Sequence, residues 1–271
     1  MLNKIFNLHF TDLCNYKCKH CFVKRERNFL TLPKIKVAID NISNYFRANN
    51  ITDGKINIAG GEPTTSKDLQ SIIDYIVSKG IKATLITNGY KLTESFIANN
   101  RNKLAVIGLS IDSLNNETNV SLGRCSGCQN RVLSYEDLKK LCLCIKENGI
   151  KLKINTVVNK VNLNEDILPL IRDVNPDRIK FLQMLPVNSY SEKIAISNDE
   201  FTQYLKKYEG IKFISEYSAD LVDTYMIIDS SGFISTSNQH FDLRFNALKE
   251  PINNFVNQIK FNFEGESKRY A

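Results

Sequence analysis

The chain has 271 residues, 42% hydrophobic and 24% charged, with a formal net charge of +7 at pH 7. That length supports one large α/β domain and excludes a disulfide-stapled miniprotein, while the modest basic excess fits either an anionic ligand or plain solubility. No stretch approaches the apolar length of a membrane span and Met1–Asn7 holds no apolar signal core, so no membrane attachment and a cytoplasmic, reducing setting are expected, where the seven cysteines serve metal or catalytic roles before disulfides.

Lys4–Phe10 reads as the first strand, and Cys14-Asn15-Tyr16-Lys17-Cys18-Lys19-His20-Cys21 follows it. Thiols in a C-x3-C-x2-C spacing can converge on one metal centre from a single tight loop. A structural zinc or a closed cluster takes four protein ligands. Three thiolates on a four-iron cube leave one iron open to a second molecule. A zinc loop completed by His9 or His20, or three unpaired core cysteines, is the alternative.

Helix Leu32–Arg47 opens with Thr31 as cap and Pro33 in its first turn. Strand Lys55–Ala59 runs into Gly60-Gly61-Glu62-Pro63, where paired glycines admit either a ligand to the backbone or a simple turn. Helix Lys67–Lys79 stops at Gly80; strand Ile81–Thr87 ends in Asn88-Gly89; helix Thr93–Asn102 leads to strand Leu104–Asp112, which ends in Ser110-Ile111-Asp112. Helix Ser134–Asn148, strand Ile150–Val158, helix Glu165–Asp173, strand Asp177–Leu185 (carrying Met184) and helix Asp199–Glu209 complete six βα units. Such a series implies a parallel sheet, open or barrel-like, with its ligand loops at the carboxyl ends of the strands. After Gly210 the rhythm breaks, and Tyr225–Asp229 with Phe233–Thr236 reads as a β-hairpin around Ser230-Ser231-Gly232. The polar C-terminal tail carries no assignment.

Alternate side chains of a strand face opposite ways. Ile56 and Ile58 oppose Lys55 and Asn57; Leu152 and Ile154 oppose Lys153 and Asn155; Ile179 and Phe181 oppose Arg178 and Lys180; Leu8 and Phe10 oppose Asn7 and His9. Helices must cover the apolar face, so the polar face lines an interior or a cleft. Few acidic residues share it, and buried cations need a partner. A triphosphate fits three or four Lys/Arg; the alternative is strand ends whose Lys heads reach water. Cys125-Ser126-Gly127-Cys128 reads as free thiols in a loop in preference to a second metal site, and Cys142 and Cys144 as helix packing.

The cysteine loop after the first strand and Gly60-Gly61-Glu62-Pro63 after the second together resemble the radical S-adenosylmethionine superfamily. The resemblance implies an α/β fold, a partial (β/α)6 barrel, here over residues 1–215, with a C-terminal extension over 216–271 covering the site. It implies a [4Fe–4S] cluster on Cys14, Cys18 and Cys21, and S-adenosyl-L-methionine on the open iron. Candidates for holding the latter are Tyr16, His20, Gly60, Gly61, Glu62, Asn88, Ser110, Asp112 and Met184. Along almost the whole chain the sequence is similar to the viperin family of nucleotide dehydratases. The matching stretches include Leu122-Gly123-Arg124, Lys153-Ile154-Asn155, Arg178-Ile179-Lys180 and Asp223-Thr224-Tyr225.

That similarity implies dehydration of CTP, UTP or GTP to a chain-terminating 3′-deoxy-3′,4′-didehydro nucleotide for antiviral defence. It places the triphosphate on Asn7, Lys55, Arg124, Lys153, Asn155, Arg178 and Lys180, with Tyr225 at the sugar or as proton donor. It implies a flavodoxin- or ferredoxin-type electron donor, no direct nucleic-acid binding and a monomer. His20 stands where the family often has an aromatic residue, the chain holds no Trp, and the loop near Tyr225 diverges, which leaves the base open. A radical enzyme acting on a peptide or another phosphorylated substrate, and a zinc and nucleic-acid-binding protein, are the rival readings.

Overall fold

In the computed structural model, which describes residues 2–23, 26–221, 223–237, 245–259 and 261, strand alternation decides the architecture. In chain order the elements are β1 (Ile5–Leu8), α1 (Leu32–Ala48), β2 (Lys55–Ile58), α2 (Leu69–Ser78), β3 (Lys82–Thr87), α3 (Glu94–Asn99), β4 (Leu104–Ser110), α4 (Asn116–Ser121), α5 (Tyr135–Glu147), β5 (Lys151–Val158), α6 (Leu168–Val174), β6 (Arg178–Gln183), α7 (Ser189–Lys193), α8 (Asn198–Leu205), β7 (Ile214–Glu216), β8 (Met226–Ile228), β9 (Phe233–Thr236), β10 (Phe245–Asn246) and α9 (Ile252–Val256). The described strands form one sheet, ordered β10-β9-β8-β1-β2-β3-β4-β5-β6-β7. Every neighbouring pair from β8 to β7 is parallel, and β9 and β10 add antiparallel. The sheet does not close, yet the Tyr225 hydroxyl just before β8 lies 2.7 Å from the Glu216 carboxylate of β7. The sheet therefore curls until its two sides nearly meet, a partial barrel.

The apolar strand residues point outward under the helices. Ile56, Ile58, Leu152, Ile154, Ile179 and Phe181 join Ile39 and Ile42 of α1, Ile72 and Ile76 of α2 and Leu138 and Ile145 of α5 in one buried core. β4 slips against β3: Ala83 pairs with Leu104 but Thr84 with Val106, so Ala105 is skipped, while Val106 keeps the same face as Gly108 and Ser110.

Several element ends differ from the sequence-based expectation. Thr31 sits at the N-cap of α1 without making a side-chain cap bond. α6 begins at Leu168, because Glu165 is drawn away to accept the Thr118 hydroxyl at 2.5 Å, while the Asp166 carboxylate accepts the Leu168 amide at 2.9 Å. The short α4, capped by Asn115, and β7 were not anticipated. β7 carries the expected 215/216 division inside it, and the following hairpin continues the same sheet through β8 on β1. The chain beyond residue 261 lies outside the described residues.

β6 is anchored by Phe181, whose ring centroid lies 4.3 Å from Tyr208, 5.4 Å from Phe213 and 5.7 Å from Tyr204. Phe181→Ala should cost about 3–5 kcal/mol in denaturant unfolding, whereas Val37→Ala on the exposed side of α1 should stay within about 0.5 kcal/mol.

Candidate active site

The cysteine loop is gripped from both sides by other loops of the strand-end rim. On one side Gly61 donates its amide to the Thr11 carbonyl at 2.7 Å and Glu62 to Leu13 at 2.8 Å. A Cβ at Gly60, whose φ is +124°, would run into the Thr11 carbonyl oxygen, and one at Gly61 into that of Leu13. The glycines thus admit the cysteine loop's own backbone, an approach that chain-local reading of the pair did not anticipate. On the other side Lys17 and Lys19 donate to the Gly123 and Leu122 carbonyls at 3.0 and 2.9 Å, and a Cβ at Gly123 would strike Lys17.

Glu62 is a hub between β2 and β3. Its buried carboxylate accepts from the Thr64 hydroxyl (2.7 Å), the Thr87 hydroxyl (2.6 Å) and the Asn88 amide (2.7 Å). Asn88 in turn donates its side-chain amide to Asn15 at 2.9 Å. Both candidates therefore hold the cysteine loop in place.

Cys14, Cys18 and Cys21 are partly exposed on that loop, and Cys14 accepts the Tyr16 amide at 3.3 Å. Burial pushes the Cys18 thiol up to about 11; Arg124 pulls against it, and Asp112, Cys21 and Cys14 add to the rise. The thiols are thus close enough to feel one another's charge, and a cationic metal centre would relieve the repulsion between their thiolates. Among the described residues no three His, Cys, Asp or Glu side chains are already gathered as a metal site, and Cys14, Cys18 and Cys21 are the residues that would hold a cluster. The donor set, three soft thiols on one backbone-braced loop, fits a [4Fe–4S] cluster with an open iron.

Behind the loop lies a buried ion cluster. The Asp112 carboxylate pairs with Arg124 Nη1 at 2.9 Å, faces His20 Nε2 at 3.4 Å and accepts the Val157 amide at 2.9 Å. Burial alone would raise Asp112, but Arg124 and then His20 outweigh it and hold the carboxyl below its ordinary range. Arg124 also donates to the Ser110 carbonyl and lies 6.0 Å from the Tyr16 ring centre. Arg124, expected at the triphosphate, is thus placed beside the cysteine loop together with Ser110, Asp112, Tyr16 and His20. Tyr16 is buried against Tyr90 at 5.9 Å. Met184, buried after β6, donates its amide to Val158 at 3.1 Å. Cys125 and Cys128 flank Ser126, which bridges to Tyr16 and Arg131.

The second half of the site lies on the inner face of the sheet. Lys153 pairs in register with Arg178 and Asn155 with Lys180 on the neighbouring strand. Asn7 donates to the Met226 carbonyl at 3.1 Å and accepts from Asn57 at 2.9 Å. Lys153 is lowered to about 7, by desolvation first and then by Lys180, Lys55 and Arg178, with Glu216 opposing. The four expected cations therefore share one field.

Few acidic residues were expected on their face, and Glu216 is one that lies there. Glu216 Oε1 lies 2.5 Å from Lys180 Nζ, and both side chains are buried. The Tyr225 hydroxyl donates to Glu216 and accepts from Lys180. Glu216 was missed because β7 is three residues long and Phe213-Ile214-Ser215-Glu216 carries no apolar/polar alternation to mark a strand. A cavity of about 290 Å³ at the foot of β6 and β7 is lined by Arg178, Asp177 and Lys212, among others.

An open α/β barrel with a three-thiol loop at its rim and a cationic interior defines the radical-generating, cluster-dependent enzyme class. The chain belongs to the Radical SAM superfamily, whose family model matches residues 8–174 and whose members use a [4Fe–4S] cluster and S-adenosylmethionine. It is 31% identical over 273 residues to an S-adenosylmethionine-dependent nucleotide dehydratase of Flammeovirga pacifica, covering 95% of this chain and 91% of the relative. A protein of the same name from Psychrobacter lutiphocae is 30% identical, covering 98% and 94%. Among solved structures, native anSMEcpe with bound AdoMet superposes with a TM-score of 0.71 at 16% identity, covering 98% of this chain and 82% of that one. Streptococcus suis SuiB bound to S-adenosylmethionine does so with 0.71 at 19%, covering 97% and 68%. Among the described residues no helix is long and apolar enough to cross a membrane.

Two outcomes test this geometry. Gly60→Ala should leave far-UV circular dichroism intact but lower iron loading about tenfold or more, whereas Gly80→Ala, also at positive φ but with nothing within 4 Å, should load normally. For Lys153, a pKa near 7 in the fold against about 10.4 unfolded means the unfolded chain holds more protons between those values. Its destabilisation is full below pH 7 and fades as pH rises. The stability advantage of Lys153→Met over the parent in urea should therefore shrink from pH 7 to pH 9.5; a constant gap would contradict the buried-cation reading.

Proposed function

We propose that the chain is an S-adenosylmethionine-dependent nucleotide dehydratase that converts CTP, UTP or GTP to its 3′-deoxy-3′,4′-didehydro analogue. The observation that carries this reading is the mutual electrostatic influence of Lys55, Lys153, Arg178 and Lys180 on the inner face, below a three-thiol rim. Near neutral pH a triphosphate brings about four negative charges to such a set. The names of the two relatives support the substrate class.

When bound, the cluster and S-adenosylmethionine supply a 5′-deoxyadenosyl radical. The chain's own residues do the positioning. Lys55 lies five residues before Gly60, roughly 16 Å of strand, so phosphates can sit deep while the ribose rises to the rim. Lys153, Arg178 and Lys180, with Asn7 and Asn155, would grip the phosphates, and an arriving polyanion would draw Lys153 back to its charged form. Loss of the ribose 4′ hydrogen and the 3′ hydroxyl, with uptake of one proton and one electron, removes one water and leaves the 3′,4′ double bond. Tyr225, its hydroxyl directed at Glu216, is the candidate donor of that proton. Arg124, Asp112, Ser110 and the Gly60–Gly61 backbone stand on the cofactor side. The reading carries with it a flavodoxin- or ferredoxin-type electron donor, a monomer, a cytoplasmic setting and antiviral defence through chain-terminating nucleotides.

After anaerobic reconstitution, 5′-deoxyadenosine formation assayed with CTP, UTP, GTP and ATP in turn should depend on a nucleotide. Lys153→Met and Arg178→Met should each raise its KM about 30-fold or more with cluster absorbance unchanged. Radical formation indifferent to every nucleotide would refute the proposal.

A further inference from the structure

The mechanism above leaves Glu216 without a task, and its surroundings give it one. A carboxylate at 2% exposure sits among the cations and amides of the inner face, paired with Lys180. Its Oε1 is 2.5 Å from Lys180 Nζ, and its two oxygens lie 3.0 and 2.7 Å from the Tyr225 hydroxyl. Tyr225 in turn receives a hydrogen bond from Lys180, whose ammonium also lies 5.2 Å from the centre of the Tyr225 ring. Lys180, Glu216 and Tyr225 thus form a closed triangle drawn from β6, β7 and the residue preceding β8, spanning the gap between the two sides of the barrel sheet.

We propose that Glu216 is a specificity-determining residue, an internal anion that occupies Lys180 in the empty site and must be displaced from it by a phosphate of the incoming substrate. The proposal rests on the polyphosphate reading of the interior cations. A buried ammonium without a counter-charge is costly, so the triangle holds Lys180 and Tyr225 in place before substrate arrives. The same carboxylate repels any anion entering that corner. Weakly charged anions then compete poorly for Lys180, whereas a triphosphate that also engages Lys55, Lys153 and Arg178 can take it over. Release of Glu216 also frees Tyr225 from its acceptor, so phosphate binding at the base and the orientation of the hydroxyl are one event.

The test is calorimetric titration of inorganic tripolyphosphate, and separately of inorganic phosphate, into the cluster-loaded protein. It reads anion binding without turnover. Glu216→Gln should bind tripolyphosphate about tenfold more tightly or better, because a buried like charge is removed, and should acquire measurable phosphate binding. Glu216→Asp, which keeps the charge but draws it back from Lys180, should fall between parent and Gln, and it carries the test alone if Gln does not fold. Unchanged or weaker tripolyphosphate binding in these variants would overturn the role of Glu216. Lys153→Met separates the two claims. If it weakens tripolyphosphate binding while Glu216→Gln has no effect, Glu216 is merely structural. If Lys153→Met also leaves binding unchanged, the interior is not the anion site and both readings fall.

Discussion

Cationic side chains on the inner face of a curled parallel sheet are the constraint on which the rest depends. Strand alternation sends Ile56, Ile154, Ile179 and Phe181 outward under the helices and so commits Lys55, Lys153, Arg178 and Lys180 to the inside. Water cannot solvate them fully there, and their mutual repulsion is visible in the lowered Lys153 ammonium. Glu216 and Tyr225 offset part of that cost at Lys180. What remains is a set of cations at the end of the barrel away from the cysteine loop, the feature on which the proposed polyphosphate site rests.

The rim solves a different problem, holding three thiols on a loop with no regular structure of its own. It does so by backbone contact. Gly60, Gly61 and Gly123 let the flanking loops close onto residues 11–18, and Glu62 ties those loops to the ends of β2 and β3. The Asp112–Arg124–His20 cluster fills the space behind. Because Ser110 ends β4, which pairs with β5, and Asp112 follows two residues on, the rim and the cationic interior share a rigid element. A ligand held by the inner face would thereby keep a fixed relation to groups at the rim.

Much of this was legible in the amino-acid order because it rests on short periods. The two-residue alternation of Leu152 to Asn155 and of Arg178 to Phe181 marks the inner face directly, and the thiol spacing marks the loop. What was not legible depends on contacts between distant segments. Arg124 follows a Gly near the cysteine loop, and nothing in its neighbours along the chain says that it pairs with Asp112. Gly60 and Gly61 read as ligand-facing because the carbonyls of Thr11 and Leu13 that they admit belong to another strand's loop. Glu216 sits on a strand too short to show a period, and the skip of Ala105 between β3 and β4 leaves no mark in the residue order.

If the interior cations hold the phosphates as proposed, the ribose 4′ carbon meets the radical generated at the thiol loop. The most direct measurement uses a nucleoside triphosphate carrying deuterium at the ribose 4′ carbon, with mass analysis of the 5′-deoxyadenosine formed by the reconstituted protein. One deuterium is expected in that product and none at the 4′ carbon of the nucleotide. Product free of deuterium, or deuterium delivered only from a nucleotide labelled elsewhere on the ribose or base, would contradict it.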